Sequence, residues 1–172
     1  MGQKRCSLEE IQAKIERHGA SGEEAETVLS RCFEDIIGCF NTGRAFLQLY
    51  DAEKGDFVTT AGHNVDTDHL FDKEFISVTI LKKVTKERQP VLTMDAMEDP
   101  RFTTRSSIAI SGLRSVLCAP VNVLEGLVGI FYMDNNYRRG VFSRDDVTFL
   151  EAVLGKLAAV VKKIRPDIRP KA

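Results

Sequence analysis

Two stretches, LRSVLCAPVNV (113–123) and LVGIFYMD (127–134), are apolar on both of their alternating sets of positions. In the first, Val116, Cys118 and Pro120 form one set and Leu117, Ala119 and Val121 the other. Successive side chains of a strand point to opposite faces, so strands of this kind need cover on both sides. The three-residue link LEG (124–126) joins them as an antiparallel hairpin. Any fold for this chain must therefore put further layers above and below a central sheet. Pro120 adds a constraint, because a residue without an N–H needs an edge position or a bulge.

Helical patterns supply one layer. Ser7 with Glu10 and Ser21 with Glu24 have the spacing of capping boxes, each able to satisfy orphan amides at a helix start. The first predicts a short helix ending near His18 and Gly19. After the second, Ala25, Val28, Leu29, Cys32, Phe33, Ile36, Ile37 and Phe40 recur at three- and four-residue spacing, one apolar stripe on about four turns. At the far end, FSRDD (142–146) starts a helix capped by Ser143. Its stripe is Val147, Leu150, Val153, Leu154, Leu157, Val161 and Ile164, and it stops at Arg165 before Pro166. The other flank carries Phe149, Ala152, Ala159 and Val160, which either fill the same core or form a helical dimer face.

Between these helices the apolar period changes to two. RAFLQLYD and FVTTAG read as a hairpin around a turn containing Gly55. NVDTDHLFDKEF is polar, without period, and reads as a loop. Helical spacing returns from Phe75 to Arg88 and ends before Pro90. PVLTMD is a short strand, and AMEDPRFTTRSSIAISG is an irregular loop of the kind that covers binding sites. The predicted class is α+β with an antiparallel sheet.

The charge balance, 24 basic against 25 acidic residues among 172, leaves no broad positive field for nucleic acid. No apolar run reaches the ~20 residues of a membrane span, and the first ten residues lack a secretory apolar segment, so a cytoplasmic location is expected. Cys6, Cys32, Cys39 and Cys118 have neither C-x-x-C pairing nor a histidine at zinc spacing, and read as free thiols. His18, His63 and His69 stand alone, unlike metal or haem ligands. No catalytic triad, P-loop or zinc motif is present, so no independent enzyme is expected.

PVLTMDAMEDPRF, then GLRSVLCAPVNVLEGLVGIFYMDN, then GVFSRDDVTFLEAV closely resemble the GAF domain, a small-molecule-binding and signalling module of sensor kinases, transcriptional activators, cyclases and phosphodiesterases. The resemblance runs from about Glu24 to Ile164. It implies a PAS-related central antiparallel sheet of five or six strands. The N- and C-terminal helices would pack on one face, with the middle helix and loops roofing a pocket on the other. The corresponding division is an N-terminal capped helix (1–22), the GAF domain (23–165) and a linker or C-terminal tail (166–172).

Carried onto this chain, the resemblance puts the pocket roof at 75–88 and 95–112 and its floor on alternate residues of 114–120. Candidate ligand-binding residues are then Phe75 and Phe102 as apolar walls, with Asp95, Arg101, Arg105, Arg114, Ser115 and Cys118 as polar groups. That mixture suits a small anionic or heterocyclic ligand, since arginine grips carboxylate or phosphate through forked donors. No catalytic residue, metal ligand or particular cofactor is implied. The expected function is a regulatory, sensory module of a bacterial signal-transduction protein, a homodimer through its terminal helices with an attached or separate output domain. Two alternatives remain: a ligand-free dimerisation module, and a thiol-dependent enzyme like the free methionine sulfoxide reductases of the family. For the second, only Cys118 lies in the pocket region. The Cys-His dipeptide of bilin-binding members and the Asn-Lys-x-x-x-Phe signature of cyclic-nucleotide-binding members are both missing.

Overall fold

The computed structural model describes residues 6–73, 78–102 and 112–172. Five strands form one antiparallel sheet: β1 (Arg44–Asp51), β2 (Asp56–His63), β3 (Val91–Thr93), β4 (Ser115–Val123) and β5 (Gly126–Asn135), in the order β2-β1-β5-β4-β3. The long hairpin β4–β5 lies inside the sheet, as its doubly apolar pattern requires. β3 pairs only with Val116 to Cys118, so Pro120 lies past the end of β3 and has no ladder partner to donate to on that side. Gly129 is a point of close approach, where a Cβ would sit 2.6 Å from the Gln48 carbonyl oxygen.

Both faces are covered. On one, Leu47, Leu49, Leu117, Ala119, Phe131 and Met133 meet α1 (Leu8–Gly19), α2 (Ala25–Ile37) and the C-terminal helix, here α5 (Arg144–Ile164). On the other, Phe46, Val116, Cys118, Ile130 and Tyr132 meet α4 (Val78–Glu87) and the segments beside it, which include the single turn α3 (Leu70–Lys73). Phe46 and Tyr132 are register partners and stack at 4.7 Å between ring centroids. Each large side chain buried this way contributes about 1.5–3 kcal/mol.

Ser7 and Ser143 make the expected capping boxes, the second reciprocated by Asp146. Ser21 does not. Its hydroxyl donates to the His18 carbonyl and accepts from Glu23 N, closing off α1, and α2 begins at Ala25 with Glu24 as an N-cap that has no side-chain bond. The serine-to-glutamate spacing was that of a box, but the preceding helix uses the serine first.

The second flank of α5 is used within the chain. Phe149 and Val160 are buried, Ala152 is partly covered, and Ala159 is exposed. α1 covers this side: the Gln12 amide donates to the Ala152 carbonyl at 3.2 Å, Lys156 pairs with Glu16, and Gly19 packs so tightly that an added Cβ would lie 2.8 Å from Val160. A second correction concerns the cysteines. Cys6 and Cys39 are joined in a disulfide with Cα atoms 5.5 Å apart, tying the start of α1 to the end of α2, whereas Cys32 and Cys118 are free and buried. The pairing was invisible in sequence because the partners are 33 residues apart and meet only when the two helices pack. Among the described residues no helix is long and apolar enough to cross a membrane, and no cluster could hold a metal ion.

Candidate functional site

α4 turns Ile80, Leu81 and Val84 toward the sheet and leaves its lysines on the outer side. It ends at Arg88, which takes the left-handed backbone conformation with φ 54° and donates its N–H to Val84 O. Pro90 two residues on prevents any continuation. Along the flank of the helix that carries Val78, Leu81, Lys82, Thr85 and Lys86 lies a cavity of about 630 Å³, within the range of small-molecule sites. Its apolar lining comes from Phe57, Leu81 and Ile130, with Phe71 and Val78 at the edge. Gln48 brings a buried carboxamide whose nitrogen donates to Thr59 Oγ1 at 3.2 Å. The charged lining side chains are Lys82, Lys86, Arg88 and Lys171 against one side-chain carboxylate, Asp56, and Ala172 lines the cavity beside Lys171. Neither Lys82 nor Lys86 has an acidic partner among the described residues. An apolar bed under a rim of cations has the complementarity of an amphiphilic anion.

Of the residues predicted from sequence, Phe75 and Arg105 lie outside the described residues. The other six do not line this cavity. Asp95 and Arg101 border a separate concavity of about 700 Å³ beside β3 and the start of α5. There Asp95 is bound by Arg114 at 3.0 Å and Arg139 at 2.8 Å and accepts the Met97 N–H. Arg101 forks onto Asp99, donates to Leu92 O at 2.6 Å and lies over the Phe102 ring. The hydrogen-bonded Arg101 guanidinium holds the Asp99 carboxyl below the usual carboxylate range. Phe102 is buried in the core under α4. The Ser115 hydroxyl accepts from Val141 N and Phe142 N, fastening the loop before α5 to β4. Cys118 is fully buried in the same core as Phe102, and burial pushes its thiol up, away from a nucleophilic thiolate. His18 hydrogen-bonds to Asp35 at 2.7 Å.

The cavity residues Lys82, Lys86 and Arg88 were visible in sequence as the outer face of a helix, which is ordinarily solvated. Lys171 was part of a basic tail. What brings Lys171 to the other three is the return of the chain after α5 to the start of β5. A second arrangement was equally hidden: fully buried Asp134 at the end of β5 is held by Arg44 from β1, with Nη2 to Oδ2 at 2.6 Å and Nε to Oδ1 at 2.9 Å, and accepts the Tyr132 hydroxyl at 2.7 Å.

A family model described as GAF domain matches residues 24–161. Over 92 residues, 54% of this chain, the sequence is 25% identical to hybrid signal transduction histidine kinase G of Dictyostelium discoideum, and the match spans 3% of that protein's length. Several solved structures share the fold. The GAF domain from an Acinetobacter phosphoenolpyruvate-protein phosphotransferase is 15% identical with a TM-score of 0.71, covering 97% of this chain and 98% of that one. Free methionine-R-sulfoxide reductase from Neisseria meningitidis, solved in complex with its substrate, is 16% identical with a TM-score of 0.70, covering 98% and 96%. The phycocyanobilin-bound GAF domain from a cyanobacterial phytochrome is 14% identical with a TM-score of 0.71, covering 94% and 97%. Identities this low speak for a shared fold and not for a shared ligand.

Proposed function

The chain belongs to the GAF domain family, and from that premise we propose that it is a sensory module that binds a small molecule in the cavity beside α4 and passes the event to a signalling partner or output domain. GAF domains are generally regulatory modules of signalling proteins, and the similarity to a hybrid histidine kinase supports the signalling half of the reading. The observation that carries the binding half is the lining of the cavity: an apolar bed, one buried carboxamide and an excess of cations on a structural scaffold. The residues predicted in the irregular loop belong to the reading as supports. Asp95, Arg114 and Ser115 tie that loop and the entry to α5 onto β3 and β4, beside the core that carries α4.

Catalysis through thiols has less support. Cys118 is enclosed in the core, and Cys6–Cys39 is held on the helical side of the sheet, opposite the cavity. Reductase activity toward free methionine sulfoxide is expected to be absent, and thiol-dependent turnover of that substrate would reverse this reading. The binding reading is tested by a thermal-shift screen of nucleotides, amino acids and organic acids. A stabilising ligand whose effect is lost on filling the cavity with Ile130→Trp supports it; no shift from any compound removes it.

A further inference from the structure

We propose that the cavity takes a small organic anion with an apolar body, and that the segment after α5, residues 165–172, is a strap that closes over this anion and reports its presence. The inference rests on the cavity being a ligand site. The segment does not leave the domain. Ile168 is buried against the core on the helical side of the sheet, and Arg165 pairs with Asp167 at 2.8 Å, turning the chain just past the helix. Lys171 then pairs with Leu127 at the start of β5, the two residues exchanging backbone hydrogen bonds of 2.8 and 3.2 Å.

Two unusual backbone positions serve this docking. Gly126 has φ 146°, and a Cβ there would lie 2.6 Å from the Lys171 carbonyl oxygen, so the strap can approach only a glycine. Arg88, with φ 54°, extends Nη2 to that same oxygen at 3.3 Å. The docked strap makes Lys171 a lining residue of the cavity and sets its ammonium 5.1 Å from the centroid of the Tyr50 ring. One wall of the site is therefore delivered by the chain beyond α5, through contacts few enough to be reversible.

The charge pattern gives the ligand class and the sign of the coupling. Lys82, Lys86, Arg88 and Lys171 line an apolar bed with Asp56 as the single opposing side-chain carboxylate among the described lining residues; even with the α-carboxylate of Ala172, which also lines the cavity in the 172-residue chain, the cations are in excess. A neutral molecule would leave those cations mutually repelling, whereas a carboxylate, sulfonate or phosphate on an aromatic or aliphatic body satisfies both parts of the lining. Lys171 contributes only when the strap is docked. By linkage, an anion that gains from Lys171 must in turn favour the docked strap. Occupancy of the cavity thus sets the path the chain takes after Ile164.

The test uses the whole 172-residue chain and two probes, 2-naphthalenesulfonate and uncharged 2-naphthalenemethanol, followed by amide NMR. The sulfonate is expected to shift Leu81, Leu127, Ile130 and Lys171 and to slow hydrogen exchange at the Leu127 and Lys171 amides. Its affinity should fall about tenfold in Lys82→Ala/Lys86→Ala, the loss of two charge-assisted contacts. Gly126→Ala should weaken it and abolish the added protection at both amides, and Lys171→Pro, which removes the donor to Leu127, should weaken it and abolish the protection at the Leu127 amide. Equal affinity for the two probes overturns the anion class while leaving the cavity as a ligand site. Unchanged sulfonate binding in Lys171→Pro and Gly126→Ala overturns the strap. If neither probe moves the cavity amides, the inference falls along with the reading on which it rests.

Discussion

Asp134 is fully buried in the sheet, where the Arg44 fork and the Tyr132 hydroxyl satisfy both of its carboxyl oxygens. Burial and the neighbouring Asp134 charge raise the Tyr132 phenol well above its ordinary range, so it stays a donor at any working pH. Asp134→Asn, which removes the carboxylate charge opposite the buried end of the Arg44 guanidinium, is expected to cost about 3–5 kcal/mol in chemical denaturation, while replacing both partners by apolar residues should cost much less. In the sequence Asp134 marked only the end of a strand, because its partner is 90 residues away and the pairing depends on the β1–β5 register. Asp99 gives a pH test. Its carboxyl titrates lower in the folded protein than in the unfolded chain, so its stabilisation is fully present above the ordinary carboxylate range and is lost as pH falls through the folded value. The stability gap between wild type and Asp99→Asn should therefore narrow as pH falls below the ordinary carboxylate range; a gap that does not depend on pH there would contradict the pairing with Arg101. The free thiols make a third test. Burial pushes Cys32 up to about 12 and Cys118 higher still, so iodoacetamide should label neither in the native protein. In denaturant without reductant the expected mass gain is two labels, leaving Cys6 and Cys39 joined; four labels would contradict the disulfide.

Elements were most legible where their signals were local. The α5 stripe, its Ser143 box and its stop before Pro166 were all stated by adjacent residues, and the helix follows them. Ser143→Ala should cost about 1 kcal/mol by thermal or urea denaturation, whereas Ser21→Ala should leave the start of α2 unaffected, since Ser21 caps nothing there. The polar run 64–75 was read as loop, and the single turn Leu70–Lys73 within it has too few residues to register a period. Ligand-lining side chains were the least legible. The α4 lysines repeat like any solvated face, and only the roof position of the helix and the returning strap give them a shared target.

At the scale of the molecule, the sheet divides two kinds of work. The helical side is filled by α1, α2 and α5, and the wide apolar surface of α5 that suggested a dimer in sequence is covered by α1. Periodicity measures how wide a stripe is, not which chain covers it. Light scattering at micromolar concentration tests the homodimer expected from sequence: a doubled mass supports it, through some surface other than the flank of α5 that α1 covers, and a single-chain mass removes it. Ile15→Glu, which unseats α1 from its fully buried contact, should promote self-association by uncovering α5. The other side keeps a cavity, and the claim that this cavity holds a small anion is tested most directly by thermal denaturation in the presence of candidate organic acids and phosphates. A true ligand at about a hundred times its dissociation constant adds about 2.7 kcal/mol, which in a domain of this size raises Tm by roughly 5–10 °C. The expected result is such a rise in wild type and its loss in both Ile130→Trp and Lys82→Ala/Lys86→Ala; a flat Tm across the anions, or a rise that both variants retain, would contradict it.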